Sequence, residues 1–184
     1  WAFSTQKVGA GYSAKIIELA RNDVDRDYRP ADVSVAPDGS LFIADWFDPV
    51  DCCHRTINDA GRIFRVAPPG HAYEVPAYDY QTPAGAVQAL RSPNLSARYR
   101  AFTALVAMQA RARPLLEEMA VDSNPRLRAR ALWLLAAFKD GTAQAIEMAL
   151  EDKSADVRAL ALRITRRHRL PVEPIVRRLV RDDS

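Results

Sequence analysis

The sequence predicts an α+β protein in which the two kinds of structure are segregated along the chain. An antiparallel β-subdomain is expected over residues 1–70, a linker over 71–84, and an α–α superhelix over 85–184. Three observations predict this: a break in composition near residue 91, a Pro-Asp-Gly hairpin signal, and a 30-residue internal repeat. Six of the seven glycines, 11 of the 15 aromatic residues and both cysteines precede residue 92. Residues 1–91 carry 9 basic and 12 acidic side chains, a net of −3, whereas residues 92–184 carry 17 and 11, a net of +6.

The averages over 184 residues, 48% hydrophobic and 27% charged, exclude a disordered tail, a collagen-like fibre and a disulfide-dense miniprotein. No apolar run approaches the ~18 residues of a membrane-spanning helix. The start lacks the basic, apolar and small-residue order of a signal peptide. Trp1 in place of Met implies that the natural N-terminus was removed or lies upstream.

The strands follow from local pattern. Residues 32–36 alternate apolar and polar positions, and Leu41-Phe42-Ile43-Ala44-Asp45 forms a second run. Between them, Pro37 presets φ, Asp38 can bond its own backbone, and Gly39 takes positive φ without steric cost. A third strand, Arg62 to Val66, starts after Gly61 and ends at Pro68-Pro69-Gly70. Lys15 to Leu19 is a fourth, with Trp1 to Ser4 pairing to it across Gly9-Ala10-Gly11.

These segments carry a resemblance. Arg29-Pro30-Ala31-Asp32-Val33, then Ala36-Pro37-Asp38-Gly39-Ser40 running through Ala44-Asp45-Trp46, then Gly61-Arg62-Ile63-Phe64-Arg65-Val66, resemble a β-propeller blade. The pattern is similar to the last blade of the glucose/sorbosone dehydrogenase group. More narrowly, it resembles the putative membrane-bound dehydrogenases of planctomycete-type bacteria, where a propeller precedes HEAT-like repeats and a haem-binding cytochrome domain. Closure of a propeller takes about four to eight blades. The resemblance, covering roughly residues 11–70, therefore implies the tail of a larger domain.

Shifting the sequence by 30 residues aligns Ala101, Ala131 and Ala161, and likewise Arg98, Arg128 and Arg158. Apolar positions align as Phe102/Leu132/Leu162 and as Ala104/Leu134/Ile164. In the preceding helix the columns are Ala86/Leu116/Ile146/Val176 and Leu90/Ala120/Leu150/Val180. Asn94, Asn124 and Ser154 form a column of N-cap residues, and Pro125 follows at a position where a missing donor costs nothing. This is the pattern of about three and a half stacked helix pairs, each burying its apolar face on its neighbours. The copies resemble HEAT-like repeats of the short, phycobilisome-lyase type. By that resemblance Asp122 with Arg128, and Asp152 with Arg158, form an inter-repeat ladder, weakened at its start where Ser92 replaces Asp. Asp182 continues the Asp column and Ser184 the cap column, so the repeat is expected to run on past the last residue.

Candidate chemistry is sparse. Cys52-Cys53-His54 lacks the Cys-x-x-Cys-His spacing that lets two thioethers and an axial imidazole reach one haem. A zinc site would need more ligands than His71 and His168 add. A vicinal disulfide and two ordinary loop thiols stay open. The resembling family has glycine-rich sequence before its histidine, from which Cys52-Cys53 departs. Asp45, Trp46, Asp48, His54 and Arg62 flank the loop after the second strand. By resemblance His54 would be the base of a sugar-oxidising mouth, with Asp45 and Arg62 beside it. Otherwise Asp45 caps its turn and Trp46 packs between blades. The basic stretch Arg163, Arg166, Arg167, His168, Arg169, Arg177 and Arg178 suggests either a solvated, domain-docking face or a nucleic-acid surface. Trp133 is expected in the core.

The function expected is a structural and docking element of a larger quinoprotein-like dehydrogenase, the solenoid positioning neighbouring domains. The alternatives are an interaction scaffold without redox chemistry and a nucleic-acid-binding solenoid, nucleic acid being the least favoured partner. No cofactor is expected in this segment. A quinone, a haem and an exported, periplasmic location are implied for the larger protein by resemblance alone.

Overall fold

Two tight turns organise the N-terminal strands. The computed structural model describes residues 1–9, 11–21, 28–46 and 61–180. Strands β1 (Ala2–Val8) and β2 (Gly11–Ile17) pair antiparallel, from Ala2 opposite Ile17 to Val8 opposite Gly11. The expected pairing across Gly9-Gly11 is present. The ladder runs closer to the turn than Trp1–Ser4 and Lys15–Leu19 suggest, because pairing continues up to Gly9, whose φ of +56° closes the hairpin. Strands β3 (Pro30–Val35), β4 (Leu41–Asp45) and β5 (Arg62–Val66) form a second sheet in that order, with β4 and β5 antiparallel. Between β3 and β4 the Gly39 amide donates to the Ala36 carbonyl at 2.9 Å, with Gly39 at φ +88°.

Among its described residues this strand unit buries little. Ser40, Ile43 and Asp45 are buried, Arg65 Nε donates to Ser40 Oγ at 3.1 Å, and Tyr28 meets Phe64 edge-on at 5.5 Å. Phe3, Tyr12, Ile16, Val33 and Ile63 are exposed.

By packing, the chain divides into two compact units, Trp1–Ser34 with Ser40–Pro69, and Val35–Gly39 with Gly70–Ser184. The second is helical. It pairs α1 (Pro83–Leu90) with α2 (Leu95–Met108), α3 (Arg113–Met119) with α4 (Pro125–Ala136), and α5 (Thr142–Leu150) with α6 (Ala155–Arg167). A further helix, α7 (Glu173–Leu179), follows. A 3-10 turn, Gln109–Arg111, joins α2 to α3.

The repeat columns form the core. Ala101, Ala131 and Ala161 are fully buried, as are Ala86 and Leu116, while Ile146, Leu90, Ala120 and Leu150 are nearly so. Alanine recurs there because helices in contact leave no room for a larger side chain, and the packing follows from close approach. On α7 the same columns behave differently, with Val176 half-exposed and Val180 exposed.

Helix starts follow the caps closely. Asn94 Oδ1 accepts from the Ala97 amide at 2.8 Å, and Asn124 Oδ1 accepts from the Arg126 amide at 3.0 Å, ahead of Pro125. Ser154 has the extended backbone of a cap, yet its side chain makes no capping bond. Its own amide is held by Asp152 Oδ1 at 2.7 Å, and Asp156 places a carboxylate in the first turn of α6. Helix α1 begins at Pro83, two residues before the expected boundary, because Thr82 Oγ1 accepts from the Gly85 amide. Tyr78 and Tyr80 of the preceding segment pack against the helical core.

Helix α6 ends with a reversed carbonyl pattern. The Arg169 amide donates to the Arg166 carbonyl and the Leu170 amide to the Thr165 carbonyl, while Arg169 itself sits at φ +56°. This is a Schellman ending with Arg where Gly is favoured. Arg169→Gly should therefore raise stability by about 1 kcal/mol in urea unfolding. Gly141→Ala should do the reverse, lowering it by about 1–3 kcal/mol, since an added Cβ would collide with the Leu135 carbonyl.

Candidate functional site

The Arg98/Arg128/Arg158 column faces the turn of its own repeat. Arg98 Nη1 donates to the Ser92 and Pro93 carbonyls, Arg128 Nη1 to those of Asp122 and Ser123, and Arg158 Nη1 to that of Asp152. Within a repeat, then, the Arg meets the Asp through its backbone carbonyl. The carboxylate pairs elsewhere. Arg128 Nε and Nη2 grip Asp152 Oδ2 and Oδ1 at 2.7 and 2.8 Å, 24 residues on in the next repeat. This bidentate pair is buried, with the two side chains 4% and 6% exposed. Asp122 takes its bond from Arg91 at 2.9 Å, at the end of α1 and outside the Arg column.

The Asp column has a second task. Asp122 Oδ1 and Asp152 Oδ1 each accept the amide two residues on, at 2.8 and 2.7 Å. Ser92 Oγ does the same for Asn94 at 3.2 Å, so the first copy keeps its turn bond without a carboxylate. Further bonds join neighbouring repeats at one recurring offset. Arg91–Asp122, Arg113–Gln144 and Glu147–Arg178 each span 31 residues.

The electrostatics follow these bonds. Burial pushes the Asp152 carboxyl up, but the Arg128 guanidinium and the Ser154 amide outweigh it and hold the group below its ordinary value. The Asn124 amide and then Arg91 hold Asp122 low as well. Asp152 raises Arg128, and Glu147 raises Arg178.

The second helices α2, α4 and α6 present a groove of about 520 Å³. Leu90, Phe102, Ala129, Trp133 and Leu160 line it, with Leu95 and Tyr99 exposed beside them. Trp133 packs on the core from one side only. It is half-buried rather than enclosed, because its other side faces the groove and Arg167 lies 5.6 Å from its ring centre. Arg98, Arg130 and Arg163 also line the groove. Arg130 Nη1 donates to the Leu90 carbonyl at 2.8 Å, and burial, then Arg98 and Arg126, lower its pKa. The basic stretch divides: Arg163 and Arg167 join the groove, while Arg177 and Arg178 pair with Glu173 and Glu147.

Repeat register holds the signal for this groove. Tyr99/Ala129, Arg130/Leu160 and Trp133/Arg163 are pairs 30 residues apart on the second helices. Two of these pairs mix an apolar with a basic side chain, which hides the stripe from a search for apolar columns.

The expected catalytic set is not assembled among the described residues. His54 lies outside them, as do Cys52, Cys53 and Asp48. Asp45 and Arg62 face each other in register at the ends of β4 and β5. Asp45 is buried and its Oδ1 accepts the Arg29 amide at 2.6 Å, which ties that carboxylate to holding the chain beside the strand. No cluster of metal-ligating side chains is found among the described residues, and none of their helices is long and apolar enough to cross a membrane.

Residues 83–165, from the start of α1 almost to the end of α6, match the family model for HEAT repeats. No curated protein and no solved structure matches the chain.

The buried pair sets an expected energy scale. Arg128→Ala should cost about 3–5 kcal/mol, since it strands the Asp152 carboxylate. Arg128→Met with Asp152→Leu should recover part of that loss but not all, because the Asp122 and Ser123 carbonyls lose their donor. Asp152 and Asp122 have depressed folded-state values, so their contribution is complete above the ordinary carboxylate range and is lost as pH falls through the folded values. Urea midpoints should therefore hold steady down to about pH 5 and drop below about pH 4. Arg128→Ala should flatten that drop.

Proposed function

We propose that the HEAT-repeat array of residues 83–165 is a protein-docking scaffold whose working surface is the α2–α4–α6 face. The observation that carries this reading is the groove. It brings exposed Leu95 and Tyr99 and half-buried Trp133 onto one face of the helical unit. Large apolar and aromatic side chains collected this way are what protein interfaces use as anchors. Cross-repeat bonds keep the face preorganised, so docking need not order it first. The array extends as an α–α superhelix, which gives an elongated surface suited to a partner protein or a neighbouring domain.

A more specific reading places this scaffold in a quinoprotein-like dehydrogenase, exported to the periplasm, where it positions a redox domain. It is supported by the likeness of the Pro37-Asp38-Gly39, Ala44-Asp45-Trp46 and Gly61–Val66 segments to a propeller blade. The exposed Phe3, Tyr12, Val33 and Ile63 of the strand unit also suit strands that pack within a larger β-structure. Asp45 is committed to the Arg29 amide, and His54 lies outside the described residues. No redox step is therefore assigned to this chain.

Both readings have direct tests. A photo-crosslinker at Tyr99 in the longest natural polypeptide should join a defined protein surface, whereas one at exposed Val121 should give little product. Equal yields from the two sites would overturn the docking face. Sugar-dependent dye reduction by the longest polypeptide, with none by residues 1–184, is expected for the dehydrogenase reading. Its absence with quinone supplied would remove that reading and leave the scaffold.

A further inference from the structure

The groove carries an imbalance of charge that narrows what it binds. Its lining contains Arg98, Arg130 and Arg163 but no Asp or Glu. Arg167 sits over Trp133 at its border, and Arg126 lies close enough to shift Arg130. Among the described residues, none of these five arginines forms an ion pair. The hydrogen bonds of Arg98 and Arg130 go to neutral backbone carbonyls, so their charges stay uncompensated. Other arginines of the array are paired: Arg91, Arg128, Arg177 and Arg178 each hold a carboxylate. The slot is thus lined by arginine charge with no carboxylate in its lining.

Like charges crowded at a half-buried site repel, and the arrangement is relieved when a ligand brings carboxylates. The slot itself is carbon-rich and lies in the ~300–1,000 Å³ range of ligand sites. We propose that the groove takes an acidic peptide segment. Its large apolar side chain seats on Phe102, Trp133 and Leu160, and its flanking carboxylates pair with Arg98, Arg130 and Arg163. This rests on the docking reading above and names the partner's chemistry. A duplex nucleic acid fits less well. It offers dense charge along its backbone and no apolar side chain to fill the slot, which phosphates would have to approach dry.

The test uses fluorescence anisotropy with residues 1–184 and a synthetic peptide in which Glu and Asp flank a Trp-Leu pair. Three controls accompany it: the same peptide with Lys for each acid, the same peptide with Ser for Trp and Leu, and single- and double-stranded oligonucleotides. The acidic apolar peptide should bind, and both altered peptides should bind at least about tenfold more weakly, roughly 1.4 kcal/mol. Arg163→Glu and Tyr99→Ser, both at exposed positions, should each weaken binding by about tenfold with circular dichroism unchanged. Equal binding of the Lys peptide, insensitivity to Arg163→Glu, or displacement of the peptide by oligonucleotide would overturn the proposal. If the peptide fails while Tyr99 still crosslinks to a defined protein surface, the acidic partner is wrong and the docking face stands. If both fail, the docking face falls with it.

Discussion

The Arg128–Asp152 pair is the constraint on which the helical unit depends. One guanidinium spends its donors in two directions: backward, into the carbonyls of its own turn at Asp122 and Ser123, and forward, into the carboxylate of the next repeat. Asp152 in turn holds the Ser154 amide at the entrance to α6. Turn geometry, helix start and inter-repeat offset are thereby coupled through two buried side chains. Such a pair is worth little as raw attraction after desolvation, but its geometry tolerates few alternatives. Through it the turn before α4 and the turn before α6 are bonded to each other.

Register matters because the core is built from small differences. The Ala101/Ala131/Ala161 column leaves room for a neighbouring helix only if the repeats stack at one offset. The bonds spanning 31 residues hold that offset on the outer edges, where apolar packing is thin. With the offset set, Trp133 of one repeat comes beneath Arg167 of the next, and Tyr99, Arg130 and Arg163 meet around one slot. The groove is thus a consequence of the ladder rather than a separate construction.

The strand unit obeys a different balance. It has good turns and well-paired ladders, yet few of its described side chains leave solvent, and those that do include the polar Ser40 and Asp45. Backbone pairing alone contributes little net free energy in water, and small sheets need an apolar face covered to be stable by themselves. The helical unit has a continuous core, so the two parts of the chain differ in how they hold themselves together.

What the sequence determined by itself is whatever depends on neighbours along the chain. Strands 41–45 and 62–66 were legible because the Pro-Asp-Gly turn, Gly61 and the Pro68-Pro69-Gly70 stop act over a few residues. The Asn94 and Asn124 caps and the buried alanine columns were legible because a cap reaches three residues and a repeat copies its burial. Tertiary structure decided the rest. Asp152 lies 6 residues before Arg158 and 24 after Arg128, and only stacking puts its carboxylate on the more distant arginine. Ser154 looks like its neighbours in the cap column, but its side chain makes no capping bond, and Asp156 puts a carboxylate in the first turn of that helix. The groove falls in the same class. Its apolar and basic members sit in different columns of different repeats, and a one-dimensional period cannot say which columns face each other until the helices are stacked.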